Sequence, residues 1–167
     1  MGTLVVAQDD PLASDVLELL SQHLSFARGH TPIDDAYALE AEELADASVS
    51  FFSIRDDGVL QGIGALRALG PKEVEVKSMH TAKVARRRGM ARRMLEHLIA
   101  FARESDAERL FLETGAMEVF APARALYRAA GFVECEAFGD YGPSDKSVFM
   151  TLDLQKGTED AGPRPPA

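Results

Sequence analysis

Six basic side chains fall within eleven residues, Lys83-Val84-Ala85-Arg86-Arg87-Arg88-Gly89-Met90-Ala91-Arg92-Arg93, with no acidic residue among them. They lie between two regular patterns. Before them, Glu73 to Thr81 alternates, with Val74 and Val76 on one face and Glu73, Glu75 and Lys77 on the other, which predicts a strand. After them, Ala91 to Ser105 places Ala91, Met94, Leu95, Leu98, Ile99 and Ala102 on one stripe, which predicts an amphipathic helix. A strand that runs through a cationic, glycine-containing loop into a helix is built to hold a small anion. Free backbone N–H groups and the helix dipole favour negative charge at a helix N-terminus. Glycine allows close approach to the backbone, and arginine adds charge-assisted hydrogen bonds. The loop is not a Walker loop, because no Gly-Lys-Ser/Thr follows, and no GxGxxG is present.

The rest of the chain argues that the anion is small. The formal net charge is -9, so the surface as a whole repels nucleic acid and anionic membranes. A nucleic-acid-binding module that uses the arginine run is the reading from another class. The acidic remainder and the lack of interleaved aromatics oppose it. Cys135 is the only cysteine, which excludes an intrachain disulfide and fits a reducing compartment. The four histidines (His23, His30, His80, His97) lack metal-ligand spacing, so no metal site is expected. No basic leader followed by an apolar run, and no membrane-length apolar segment, is seen. The expectation is a cytoplasmic protein without nucleic-acid or membrane partners. Dimerisation through sheet edges is compatible with the sequence, which does not show it.

The remaining elements follow from pattern. Thr3 to Ala7 reads as a strand. Leu12 to Ala27 reads as a helix on Val16, Leu17, Leu19, Leu20 and Leu24, with Ser14 or Asp15 as its cap. Arg28 to Asp35 reads as a loop and Tyr37 to Ala45 as an acidic helix. Val49 to Arg55 and Val59 to Leu69 flank the hairpin signal Asp56-Asp57-Gly58, and Gly62 and Gly64 suggest a bulge or a close backbone approach. Arg109 to Glu113, Phe132 to Glu136 and Ser147 to Leu154 are strands. Ala121 to Ala130 is a helix with Pro122 near its start and Gly131 past its end. The tail from Gln155 has no apolar cluster and is expected to be disordered. A meander followed by strand–helix units predicts an α/β (α+β) fold around a mixed sheet.

Two motifs carry a family resemblance. Arg86-x-x-Gly89-x-Ala91, between strand and helix, matches the [QR]-x-x-G-x-[GA] signature of the GCN5-related N-acetyltransferases (GNAT). Leu126-Tyr127-Arg128-Ala129-Ala130-Gly131-Phe132 matches the LYxxxGF pattern of the same family. The two occur in order and in the right elements, and the resemblance runs from about Thr3 to Leu154. It implies a single GNAT-like domain over 1–154 with a mostly antiparallel sheet of six to seven strands and about four helices, the sheet splayed between Glu73–Thr81 and Arg109–Glu113. It also implies acetyl-CoA as cofactor. Its pyrophosphate would lie on the backbone of Arg86, Arg87, Arg88, Gly89, Met90 and Ala91, and its pantetheine arm on the main chain of Met79, His80 and Thr81. The implied reaction is direct transfer of an acetyl group to a primary amine of a small molecule or peptide. Another acyl group, another acceptor, or a non-catalytic CoA-binding role is the alternative.

Roles follow from the same resemblance. Tyr127 matches the family tyrosine that protonates the departing thiolate and lies near the CoA sulfur; otherwise it is a packed helix aromatic. Glu75, eleven residues before Arg86, matches a strand glutamate used as base; otherwise it is a solvated strand charge or a partner of Lys77. Glu113 is the second base candidate, acting directly or through water. Phe120 stands where many members have Asn, which puts an Asn-mediated contact in doubt. His97 is expected to face solvent. Cys135 lacks a His or Asp partner and is expected to be a buried strand thiol.

Overall fold

A computed structural model describes residues 2–28 and 36–155. The loop expected at Arg28 to Asp35 and the tail expected from Gln155 lie, apart from those two end residues, outside the described residues. The elements run β1 (Leu4–Gln8), α1 (Ser14–Arg28), α2 (Ala36–Leu44), β2 (Val49–Asp56), β3 (Val59–Gly70), β4 (Glu73–Thr81), α3 (Met90–Glu104), β5 (Arg109–Gly115), α4 (Ala121–Ala129), β6 (Val133–Cys135) and β7 (Ser147–Asp153). Short 3-10 turns occupy Lys83–Ala85 and Glu118–Phe120. The seven strands form one sheet in the order β1-β2-β3-β4-β5-β7-β6. β7 enters between β5 and β6 and pairs antiparallel with both. This is the α/β architecture that the strand and helix patterns predict. Two compact units compose it. The first holds β1, α1, α2, β2, β3 to Arg67, β4 from Val76 and α3 to Leu98; the second holds Ala68–Glu75 and the chain from Ile99 onward.

In the first unit, β2 and β3 form the predicted hairpin. Asp57 (φ 49°) and Gly58 (φ 84°) both take positive φ, and Asp56 pairs with Val59. That is a two-residue type I′ turn, whose twist suits the strands and which Asp-Gly adopts readily. The register then slips, because Ile54 faces Gly62 while Arg55 faces Leu60. Gln61 is the extra residue of a bulge. The two glycines beyond it are sites of close approach: a Cβ on Gly62 would lie 3.0 Å from the His80 carbonyl oxygen, and one on Gly64 would lie 2.7 Å from Met94 Cγ. Val16, Leu19 and Leu20 of α1 and Ala41 and Leu44 of α2 bury against Phe51, Leu60, Ile63 and Ala65. Each fully buried large aliphatic side chain here contributes about 1.5–3 kcal/mol.

The cap expected at Ser14 or Asp15 is not used. The Ala13 carbonyl accepts the Leu17 N–H, so both residues lie inside the first turn of α1. Asp15 is drawn instead to Arg55, 40 residues away, whose Nη1 donates to it at 2.7 Å; Arg55 Nε donates to Asp9 at 2.9 Å, and Ser53 Oγ donates to the same carboxylate. The Arg55 hydrogen bond holds the Asp15 carboxyl below its ordinary range. For Asp9, burial acts to raise the pKa, but the hydrogen bonds from Ser53, the Asp10 N–H and Arg55 outweigh it and hold the group low. Both carboxylates therefore stabilise the fold above the ordinary carboxylate range, and that stability is lost as the pH falls below about 4. Arg55→Ala is expected to lower Tm by roughly 2–6 °C at neutral pH, from about 1–2 kcal/mol for a half-exposed charged network. It should also flatten the acid limb between pH 5 and 2.5; an unchanged limb by circular dichroism would reject this assignment.

In the second unit, Leu110, Leu112, Met150 and Leu152 bury where β5 pairs with β7. The end of α4 explains half of the second motif. Gly131 has φ 106°, its N–H donates to the Arg128 carbonyl, and the Phe132 N–H donates to the Tyr127 carbonyl. That is a Schellman stop, completed by apolar contact between the two ends. Tyr127 and Phe132 supply the contact edge to face, with ring centroids 5.9 Å apart.

Candidate active site

The cationic loop is positioned by Gln61. The bulge leaves its main chain outside the β2–β3 ladder, and its carbonyl accepts the Ala82 N–H at 2.8 Å, where the chain leaves β4. Its side-chain oxygen accepts Arg88 Nη1 at 3.3 Å, and Asp56 lies 3.8 Å from Arg88 Nη2. Arg88 is thus tied to the protein. The Arg86 and Arg87 side chains are exposed and carry no ion pair or hydrogen bond among the described residues. Arg87 (φ 65°) and Gly89 (φ 79°) turn the backbone into the left-handed region, and the space beside Gly89 is open. The Gly89 carbonyl accepts the Arg93 N–H, the first bond of α3, so the amides ahead of that bond are not used by the helix ladder. Met90 is buried and anchors the first turn, with Ala91 beside it. Met79, His80 and Thr81 are half-buried at the end of β4. Just before them Ser78 takes φ 56°, an irregular strand position, and its Oγ donates to Glu40 of α2 at 2.8 Å.

The second unit holds the three titratable candidates. Tyr127 is buried on α4. Burial, and then the charge of Glu113, push its phenol up to about 12. Tyr127 therefore keeps its proton throughout the neutral range. Glu113 is half-buried on β5, and its carboxylate accepts the Ser147 Oγ at 2.7 Å. Glu75 corrects the sequence expectation. Alternation puts it on the face of Glu73 and Lys77, yet it is 2% exposed and turns to Tyr141, whose hydroxyl donates to Oε2 at 2.6 Å. It is neither a solvated charge nor a partner of Lys77. Tyr141, 66 residues later, lies on Glu75 alone of that face; Glu73 stays exposed and Lys77 half-buried.

Two further residues, His97 and Cys135, stand differently from their sequence reading, and Phe120 has a neighbour that the sequence did not name. His97 is only partly exposed: its ring meets Phe52 edge to face at 4.8 Å, and its Nε2 is buried without a hydrogen-bond partner among the described residues. Phe120 lies against Gly115, leaving no room for a Cβ there. Cys135 is partly exposed rather than buried, and burial pushes its thiol up, which disfavours a nucleophilic thiolate. Arg124, which sequence reasoning did not single out, braces the chain after β5 by donating to the carbonyls of Gly115 at 2.7 Å and Met117 at 2.9 Å. Among the described residues no cluster of metal-binding side chains and no membrane-length apolar helix occurs.

These features have counterparts. The model of the acetyltransferase (GNAT) family matches residues 14–132. The chain is 40% identical over 146 residues to an uncharacterized N-acetyltransferase, YsnE, of Bacillus subtilis, covering 87% of this chain and 97% of the relative. It is 32% identical over 156 residues to an IAA acetyltransferase of Azospirillum brasilense, covering 92% of this chain and all of the relative. The fold also superposes on an aminoglycoside 6'-N-acetyltransferase complexed with coenzyme A, with a TM-score of 0.69 over 97% of this chain and 99% of the other, at 14% identity. At that identity only the fold is shared. A signature loop at the head of α3, a second motif that closes α4 and a family match spanning both make this chain a GNAT-family acyltransferase.

Proposed function

We propose that the chain moves an acetyl group from acetyl-CoA to a primary amine of a small molecule or peptide, with both substrates bound at once. The observation that carries this reading is the loop at the head of α3. Two exposed arginines without partners among the described residues, a left-handed glycine with open space beside it and amides outside the helix ladder fit a pyrophosphate. Arg86, Arg87, Arg88, Gly89, Met90 and Ala91 would hold that end of the cofactor, and the main chain of Met79, His80 and Thr81 its pantetheine arm. When bound, acetyl-CoA supplies an acetyl group activated as a thioester. Tyr127 keeps a proton on Oη for the departing sulfur. Glu75 takes the proton that the acceptor must lose, with Glu113 the alternative base. A main-chain N–H near Met79 or His80 serves as oxyanion donor. The lone cysteine suits a cytoplasmic setting.

The reading is tested by ligand-induced stabilisation. CoA at about a hundred times its Kd is expected to raise Tm by roughly 5–10 °C, since a ligand that binds only the native state stabilises it by about 2.7 kcal/mol at that ratio. No rise at millimolar CoA rejects the cofactor assignment. A salt-sensitive gel shift with DNA, indifferent to CoA, supports the nucleic-acid module instead. Thiol release from acetyl-CoA with amines, amino acids, aminoglycosides, peptides and IAA then identifies the acceptor. IAA belongs in the panel because one relative bears that name.

A further inference from the structure

A base must reach a proton on a molecule that arrives from solvent. Glu75, at 2% exposed, does not reach solvent. The one side chain on its carboxylate among the described residues is the Tyr141 hydroxyl, and Tyr141 is 37% exposed. Tyr141 comes from the segment between β6 and β7, yet its ring is well supported. Phe138 meets it at 5.1 Å and Phe149 at 5.5 Å, and Phe138 is itself packed on Phe111 at 4.9 Å. The Tyr141 N–H donates to the Phe138 carbonyl at 3.0 Å. Phe149 of β7 and Phe138 of the segment itself, the latter braced by Phe111 of β5, thus hold one phenol with its oxygen on a buried carboxylate and part of its surface in water. A cover needs only the ring; the short hydrogen bond from the hydroxyl gives the buried carboxylate a route outward.

We infer that Tyr141 is the residue that meets the acceptor's ammonium, and that the proton enters Glu75 through it. The inference rests on the reading of Glu75 as the base. In the step, the acceptor's N–H bond breaks as its proton passes to Tyr141 Oη, while the Tyr141 O–H bond breaks as that hydroxyl's own proton passes to Glu75 Oε2. The ammonium becomes a neutral amine with a free lone pair, the phenol ends as it began, and the carboxylate becomes a carboxylic acid. No charge is left on the tyrosine, so the step needs no other acid or base. The aromatic face presented by Tyr141 also suits a cationic acceptor, because a ring attracts an ammonium placed over it. Direct contact between acceptor and Glu75 would instead require Tyr141 to leave its place against Phe138 and Phe149.

Steady-state kinetics of wild type, Tyr141→Phe, Glu75→Gln and the double variant test this, with acetyl-CoA and n-butylamine, L-lysine, spermidine, tyramine and kanamycin as probe acceptors. On the probes that turn over, each single substitution is expected to lower kcat about 10²-fold. The double variant should lose no more than the worse single, because residues acting as one unit are not additive. The KM for acetyl-CoA should stay within about twofold, and the CoA-induced rise in Tm should persist in all variants, a pattern that a cover for Glu75 alone would not produce. Wild-type kcat in Tyr141→Phe beside a slow Glu75→Gln overturns the relay and leaves Glu75 as a direct base. Losses that multiply in the double variant also overturn it. Wild-type kcat in Glu75→Gln overturns the base reading, and the relay with it; a wild type whose Tm ignores CoA overturns the cofactor reading beneath both.

Discussion

Tyr127→Phe is expected to lower kcat by about 10²-fold while leaving the KM for acetyl-CoA and the CoA-induced rise in Tm nearly unchanged. The substitution removes one oxygen from a buried ring and keeps the edge contact with Phe132 that completes the end of α4. The fold should therefore survive, and the loss should fall on the chemical step. The phenol is suited to the proposed role because burial, reinforced by the charge of Glu113, raises it to about 12 and keeps the proton in place. The same shift has a stability consequence with a definite sign. The folded pKa lies above the ordinary value of 10, so the neutral phenol favours the fold fully below about pH 10, and this contribution disappears as the pH rises through about 12. A shift of this size corresponds to about 2–3 kcal/mol. Tm measured from pH 8.5 to 12 should fall more steeply for wild type than for Tyr127→Phe. If kcat is unchanged in the variant, Tyr127 is a packing residue of α4 and the proton donor is another group.

The features read correctly from sequence are those whose cause is local. Gly131 and Phe132 end α4 through bonds to residues three and five positions earlier. Asp57-Gly58 makes its own turn. Gly62 and Gly64 announced close approaches, although not that His80 and Met94 would be the neighbours. The misread features are those whose partner is far along the chain. Strand alternation puts Glu75 on a polar face where Glu73 is indeed exposed, but Glu75 itself meets Tyr141, 66 residues later in a Gly/Pro-rich segment with no periodicity. Asp15 looked like a cap because Arg55, 40 residues on, is invisible to a local pattern. His97 lies at the margin of the apolar stripe of α3, and Phe52 of β2 decides that it turns inward. Gln61 carried a weak signal, its place beside Gly62, but nothing in that spacing says that its side chain would hold Arg88. The candidate groups thus sit on locally legible elements, while the environment of each is set by long-range contacts.

Gly89→Val is expected to abolish the CoA-induced rise in Tm, weakening CoA at least 10²-fold, a loss of about 2.7 kcal/mol in binding. The reason is conformational rather than steric. Among the described residues beyond its chain neighbours, nothing lies within 4 Å of where a Cβ would sit, so the Cβ itself meets no clash. At φ 79°, however, a β-branched residue is a severe outlier, and the backbone must turn to relieve it. Because Arg87 already sits at φ 65° two residues earlier, the whole turn from Arg86 to Ala91 rearranges, and the amides ahead of the Arg93-to-Gly89 bond lose their common direction. Strain alone would also lower the Tm of the unliganded protein, so a second variant separates the two effects. Gly131→Ala places a side chain at φ 106°, with Leu152 Cδ1 at 3.2 Å, on the other side of the motif pair. It should destabilise the fold by at least 1 kcal/mol, or roughly 2–4 °C, yet keep the full CoA response. Loss of the response in Gly89→Val with its retention in Gly131→Ala ties the glycine at the head of α3 to anion binding. Equal loss in both would make it a folding glycine only, and would remove the observation on which the cofactor assignment rests.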